Sequence, residues 1–327
     1  MIHLRLIVPR RCSDDVVGYL TSDERVTHVL AWPGAAVDPP GDAVSCDVAR
    51  EAASDVIATL KAMGLSGDGA IAIEEVAATS SRSAERAEKA APGAGEDGIV
   101  WDVVLGRARA DAESSWAFYA FLCLATTIAA IAVVLDSAIL VVGAMVVGPE
   151  FGPIAAACVG IALGRPRLLR DALRLLVLGF AAAVAVTIVL ALAADAAGWI
   201  AATDVSRPRP LTGFIWAPDR WSFVVALLAG AAGVLSLTAG RSSALVGVFI
   251  SVTTVPAAGN LALAIALRVP DEISGAATQL AVNLTGMVIS GTALLAVQRL
   301  LTRPEVRAYR AALPDPVARA RQRRAGS

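Results

Sequence analysis

The sequence predicts an α-helical polytopic membrane protein with a small soluble α+β domain at its N-terminus. Three observations lead there. Of 327 residues, 56% are hydrophobic and 17% charged, with a mean hydropathy of +0.65; soluble domains run at roughly 45–50% and about 25%. Nearly all of the apolar excess lies after Ser115. It is divided into six segments, each near the ~20 residues that cross a ~30 Å hydrocarbon core.

The first element is the run His3-Leu4-Arg5-Leu6-Ile7-Val8. It is too short for a signal peptide, and no small-residue cleavage site follows. It reads as a strand over residues 2–8. A short helix over 14–21, strands over 26–32 and 43–48, a helix over 50–63 and a strand over 70–77 complete a β-α-β-β-α-β order. That is the split-βαβ, ferredoxin-like arrangement. The second helix places Ala53, Val56, Ile57, Leu60 and Met63 on one stripe. Residues 1–78 are therefore expected to form a cytosolic ferredoxin-like domain. Residues 79–98 lack apolar periodicity and read as a flexible linker. Residues 99–115, with Trp101 and alternating charges, read as an amphipathic juxtamembrane helix.

The spans fall at about 116–135, 138–163, 172–194, 222–239, 244–267 and 276–298, within a transmembrane domain of 116–300. Residues 301–327 form a basic tail. Trp116, Trp199, Trp216 and Trp221 lie near the proposed interfaces, where aromatics are enriched. Arg165, Arg167, Arg170, Arg174, Arg241, Arg299, Arg303, Arg307 and Arg310 fall on one side. On the other, Arg207, Arg209, Arg220 and Arg268 are offset by Asp195, Asp204, Asp219, Asp271 and Glu272. The positive-inside rule then puts both termini in the cytoplasm of a multi-pass protein of the cytoplasmic membrane.

The second and fifth spans share an interruption. Each begins Ser-Ala (Ser137-Ala138, Ser243-Ala244), runs through branched apolar residues, and breaks near its middle. The breaks are Gly148-Pro149-Glu150-Phe151-Gly152-Pro153 and Thr253-Thr254-Val255-Pro256. Each resumes as Ala-rich helix, and Arg165 and Arg268 follow twelve residues after Pro153 and Pro256. As the middle helices of three-span units, they predict a 3+3 inverted repeat with discontinuous helices, where transporters place their sites. Proline frees backbone carbonyls, which survive in hydrocarbon only beside protein or a cavity.

The candidate solute or ion pathway is Gly148, Pro149, Glu150, Gly152, Pro153, Thr253, Thr254, Pro256, Asn260 and Asn283. Glu150 is expected to be the only ionisable residue deep in a span, which marks it for proton or cation handling. The alternative is a Glu that only caps freed backbone. Gln279, Thr285 and Ser290 on the last span and Thr126 and Thr127 on the first read equally as interhelical stitching. Gly160 and Gly164 permit close packing and predict a homo-oligomer.

Other classes find little support. The formal net charge of −1 offers no basic face for nucleic acid. Cys12, Cys46, Cys123 and Cys158 have no metal spacing and no disulfide framework. His3 and His28 read as half-exposed strand histidines with no metal. The membrane half contains no His or Lys, so a Ser-His or Ser-Lys protease has no base. There is no HExxH and no phosphate-cradling GxxxxGK[ST], and no cofactor is expected.

Trp101 with its juxtamembrane helix, the run Gly143 to Pro149, Gly152-Pro153-Ile154, the Gly164-Arg165 turn and Val255-Pro256 form a recognisable set. Over about residues 99–300 the chain resembles the bacterial membrane-protein family called domain of unknown function 389. The resemblance implies an inner-membrane protein with a variable soluble extension and supplies no function. It also implies an apolar residue at the position of Glu150 in many relatives, so a role for Glu150 would belong to this branch. The expected activity is a secondary transporter or channel for a small solute or ion, regulated by the N-terminal domain. The alternative is a non-transporting membrane sensor or scaffold whose soluble domain binds a ligand or partner.

Overall fold

A computed structural model describes residues 1–91, 98–239 and 252–312. The chain divides into two compact units, Met1–Val104 with the C-terminal residues, and Leu105–Gln298.

The first unit is built on β1 (Ile2–Val8), α1 (Ser13–Ser22), β2 (Val26–Ala36), β3 (Gly41–Val48), α2 (Arg50–Leu60) and β4 (Ala70–Glu75). The strands form one sheet of order β2-β3-β1-β4 with every pairing antiparallel. Alternation in β1 sends Ile2, Leu4, Leu6 and Val8 into the core, as a period of two requires. They meet Val44, Cys46 and Val48 of β3, and Val16 and Leu20 of α1. Ala52, Ala53, Val56, Ile57 and Leu60 of α2 complete this core. Arg25 is buried and donates to both Asp23 oxygens at 3.0 and 2.8 Å and to Asp55 at 3.2 Å. It thereby joins the start of β2 to α2.

Two expectations for this unit change. Residues 82–90 do not behave as open linker: they form α3 (Arg82–Ala90), capped by Ser81, whose hydroxyl accepts from the Ser83 and Ala84 amides. Its Ala84 and Ala87 are buried, a small apolar face too narrow to register as periodicity. The histidines also converge. His3 Nδ1 and His28 Nδ1 each lie 2.7 Å from an Asp47 carboxylate oxygen, and His28 Nε2 reaches Ser81 at 3.0 Å. His28 sits at φ 51° in a register shift of β2, a conformation uncommon outside glycine.

Next comes α4 (Trp101–Asp111), within the juxtamembrane segment expected from sequence. The second unit follows with α5 (Trp116–Val134), α6 (Ala138–Val147), α7 (Phe151–Ala162), α8 (Pro166–Ala196), α9 (Ala202–Ser206), α10 (Arg220–Ala239), α11 (Thr254–Ala266) and α12 (Pro270–Ala312). Among the described residues, α5, α8, α10 and α12 are long and apolar enough to cross a membrane. The pair α6 and α7 makes a fifth candidate, bent by 54° at its break. The fifth expected span, 244–267, is represented among the described residues by the 13-residue α11; the first part of that span, residues 244–251, lies outside them. Exposed Ile139, Val177, Val189 and Leu228 give the bundle an apolar exterior, as lipid contact demands.

The ends of α7 and α11 are built alike. Leu163 and Leu267 have φ/ψ of −96°/0° and −93°/4°. The next residues, Gly164 and Arg268, have φ of 64° and 58°. Arg165 N then donates to Gly160 O at 2.7 Å, and Val269 N to Ala264 O at 2.9 Å. These are Schellman closures, and Pro166 and Pro270 start the following helices. Gly160 packs on the Leu169 backbone of α8, so the glycine expected to serve an oligomer serves this hairpin.

Candidate functional site

The site grows from two interruptions. Gly148 leaves α6 with ψ 128°, and Pro149 and Glu150 turn the chain into α7. On the other side, Val252 and Thr253 lead into α11, with Thr253 at ψ 44°. The two meet. Thr254 Oγ1 donates to Glu150 Oε1 at 2.7 Å, and a Cβ at Gly148 would lie 2.8 Å from Val255 Cγ2 and against the Glu150 carboxylate. Only glycine permits that approach. α11 is pressed equally close to α5, where a Cβ on Gly259 would stand 2.8 Å from Ala130 N and Thr126 O.

Behind Thr254, the Thr253 hydroxyl accepts from Gln279 Nε2 at 3.1 Å and Asn283 Nδ2 at 3.0 Å. Glu150, Thr253, Thr254, Gln279 and Asn283 are all buried. Among the described residues, Glu150 Oε2 and Gln279 Oε1 have no hydrogen-bond partner. Leaving such groups unmade is costly, so the two oxygens mark where a ligand, a proton or water belongs.

The structure thus brings together Gly148, Glu150, Thr253, Thr254 and Asn283. Pro149 shapes the first turn, and Pro153 and Pro256 lie buried in the opening turns of α7 and α11. Gly152 faces elsewhere: its Cβ would sit 3.2 Å from Asp111 at the end of α4. The Thr126 and Thr127 hydroxyls bond back to Leu122 O and Cys123 O, both at 2.8 Å, and make no bond to the cluster.

Asn260 belongs to a second cluster. Arg209 Nη1 donates to Asn260 Oδ1 at 2.9 Å and Arg209 Nη2 to Glu272 Oε2 at 2.6 Å. Asn260 Nδ2 donates to the same Glu272 oxygen at 3.0 Å. All three are buried. Glu150 is therefore not the only buried ionisable group of this unit, although Arg209 lies on a loop and Glu272 in the first turn of α12. Arg209 and Glu272 read from sequence as loop charges on one side of the membrane. Two signals pointed the other way. Pro208 and Pro210 flank Arg209 and stiffen its presentation, and Glu272, Gln279 and Asn283 recur at helical spacing as a polar stripe.

With that geometry in place, comparison with known families decides the relationship. Residues 145–289 match the family described as Domain of unknown function (DUF389). The match begins at Met145, just before the first break, and runs past Asn283, so the DUF389 segment contains both breaks and both polar clusters. It is shorter at either end than the resemblance over about residues 99–300. No curated protein and no solved structure matches the chain.

Proposed function

We propose that this DUF389 protein is a secondary transporter or channel for a small solute or ion, with its site where the two breaks meet. The observation that carries this is the 2.7 Å bond between Thr254 and Glu150. It joins two chain interruptions 104 residues apart in sequence; irregular backbone in a membrane persists where protein buries it or where it lines a cavity, as at transporter sites. On this reading the DUF389 protein is not an enzyme. It sits in the cytoplasmic membrane with six spans, both termini in the cytoplasm, as a homo-oligomer without nucleic-acid partners. The paired interruptions ahead of α7 and α11 support a 3+3 inverted repeat. The strand order β2-β3-β1-β4 supports a ferredoxin-like N-terminal module. Control by that module is supported by the covalent continuity of α4, which begins in one unit and ends in the other.

A second reading, a membrane sensor or scaffold, is favoured by one observation: the polar groups are buried and bonded to one another. The test is Glu150→Gln in proteoliposomes carrying an internal pH dye, under imposed Na⁺, K⁺ or pH gradients. The variant keeps the shape and loses the ionisable group. Transport predicts a folded variant with ion-coupled proton movement reduced at least about tenfold, the order expected for one charged hydrogen bond in a dry site. The scaffold reading predicts no flux by the parent and tolerance of both Glu150→Gln and Glu150→Leu.

A further inference from the structure

Glu272, Gln279 and Asn283 on α12 face Thr253 and Asn260 on α11 through the bonds described above. At ~1.5 Å per residue, Glu272 to Asn283 spans roughly 16 Å of helix. The result is an interrupted polar seam between two apolar helices, two clusters with buried Ala257 and Ala276 between them in sequence, and Glu150 beside its deep end. Its chemistry is rich in oxygen acceptors. Glu150 Oε2 and Gln279 Oε1 are buried, with nothing among the described residues donating to them. At the far end, the Arg209 guanidinium donates to both the Glu272 carboxylate and the Asn260 carbonyl oxygen, and Glu272 also accepts from the Asn260 amide. A buried carboxylate needs a positive partner, and here that partner comes from a loop.

The loop is strapped across the end of the bundle. Arg207 Nη2 donates to Val134 O at 2.7 Å, the last turn of α5. The Leu211 amide and Thr212 hydroxyl donate to Asp136 Oδ1 at 3.2 and 2.8 Å, in the turn between α5 and α6. Between these ties Arg209 points inward, its Nε buried and without a partner. The guanidinium is held by the loop's own short contacts and lies on no helix.

We propose that Glu272 and Asn260 form a site for a small monovalent cation, and that Arg209 occupies it as a tethered substitute, closing that end of the seam. One carboxylate with neutral amide oxygens matches a single positive charge; a divalent ion takes more carboxylate ligands. The closing role rests on the transport reading above, whereas the site itself does not.

The experiment is thermal unfolding of the full-length chain and Arg209→Gln in detergent, titrated from 1 to 100 mM with NaCl or KCl, against choline chloride at equal ionic strength. Arg209→Gln leaves Glu272 in need of a cation. Its Tm is expected to rise by about 4 °C or more in Na⁺ or K⁺ over choline, the size of shift that saturating a site gives. The parent, and the double variant Arg209→Gln with Glu272→Gln, are expected to show no such difference. Equal curves in all three salts for Arg209→Gln overturn the proposal, as does a cation response that survives in the double variant. If Arg209→Gln is recovered folded only when purified in Na⁺ or K⁺, the proposal holds. If it is lost in every salt while the double variant folds, the pocket takes no free cation and the proposal falls. In proteoliposomes, Arg209→Gln is expected to pass Na⁺ or K⁺ at least about tenfold faster than the parent. A cation-dependent Tm with no flux in either protein keeps the site and rejects the closing role together with the transport reading.

Discussion

Tyr19 and Cys46 lie in the core of the N-terminal unit, Tyr19 only 7% exposed and Cys46 fully buried. Burial pushes the Tyr19 phenol and the Cys46 thiol each up to about 12. Both groups therefore keep their protons in the folded state at a pH where the unfolded chain has released them. The stability they allow is intact below about pH 9 and is lost as pH rises towards 12, the sign required when the folded pKa is the higher one. Two units on the tyrosine correspond to on the order of 2–3 kcal/mol. Tyr19→Phe in residues 1–104 should flatten the fall in unfolding free energy between pH 10 and 12, measured by urea titration. An unchanged slope would show that the phenol is not the group responsible. At this scale Glu150 was legible because a carboxyl amid Gly and Pro in an apolar span has few bland readings. Arg209 and Glu272 were not, because a charge between a helix end and a proline is the ordinary composition of a loop. Only their 2.6 Å contact separates a buried pair from two solvated ones.

For the elements, hydrophobic periodicity located every strand and most helices, since a half-buried strand and an amphipathic helix must repeat at two and about 3.6 residues. It failed at α3, whose buried face is two alanines, and at the edge of the N-terminal unit. There Gly98 sits with its Cα against the Arg50–Glu51 backbone. Ser54 Oγ donates to Ile99 O at 2.9 Å and accepts from Trp101 N at 3.1 Å. Val100 is buried in the same core as α2. Those contacts lie beyond residue 78, where the sequence reading ended the domain. A fragment of residues 1–104 should thus be more stable than residues 1–78 by roughly 1.5–3 kcal/mol, the value of burying one valine. Equal denaturation midpoints for the two fragments would place the boundary back at 78.

Across the whole molecule, arginine asymmetry predicts an orientation that reporter fusions can test. Fusions at residues 168 and 205 should report the cytoplasmic and the external side respectively, and the same side for both would overturn the six-span arrangement. A repeat is hard to read in letters, because Ala- and Val-rich helices resemble one another whatever their origin. Dihedral angles do not single it out either: the closure after α7 and α11 recurs after α5 and α8, where Asp136 and Gly198 have φ of 47° and 70°. The bonds between α11 and α12 also bear on biosynthesis. Gln279 and Asn283 donate to Thr253 from a helix that leaves the ribosome after it, and Asn260 donates to Glu272 of that same later helix. Until α12 has emerged, the nascent chain carries these α11 groups without their α12 partners, and a product truncated before α12 would expose them to quality control.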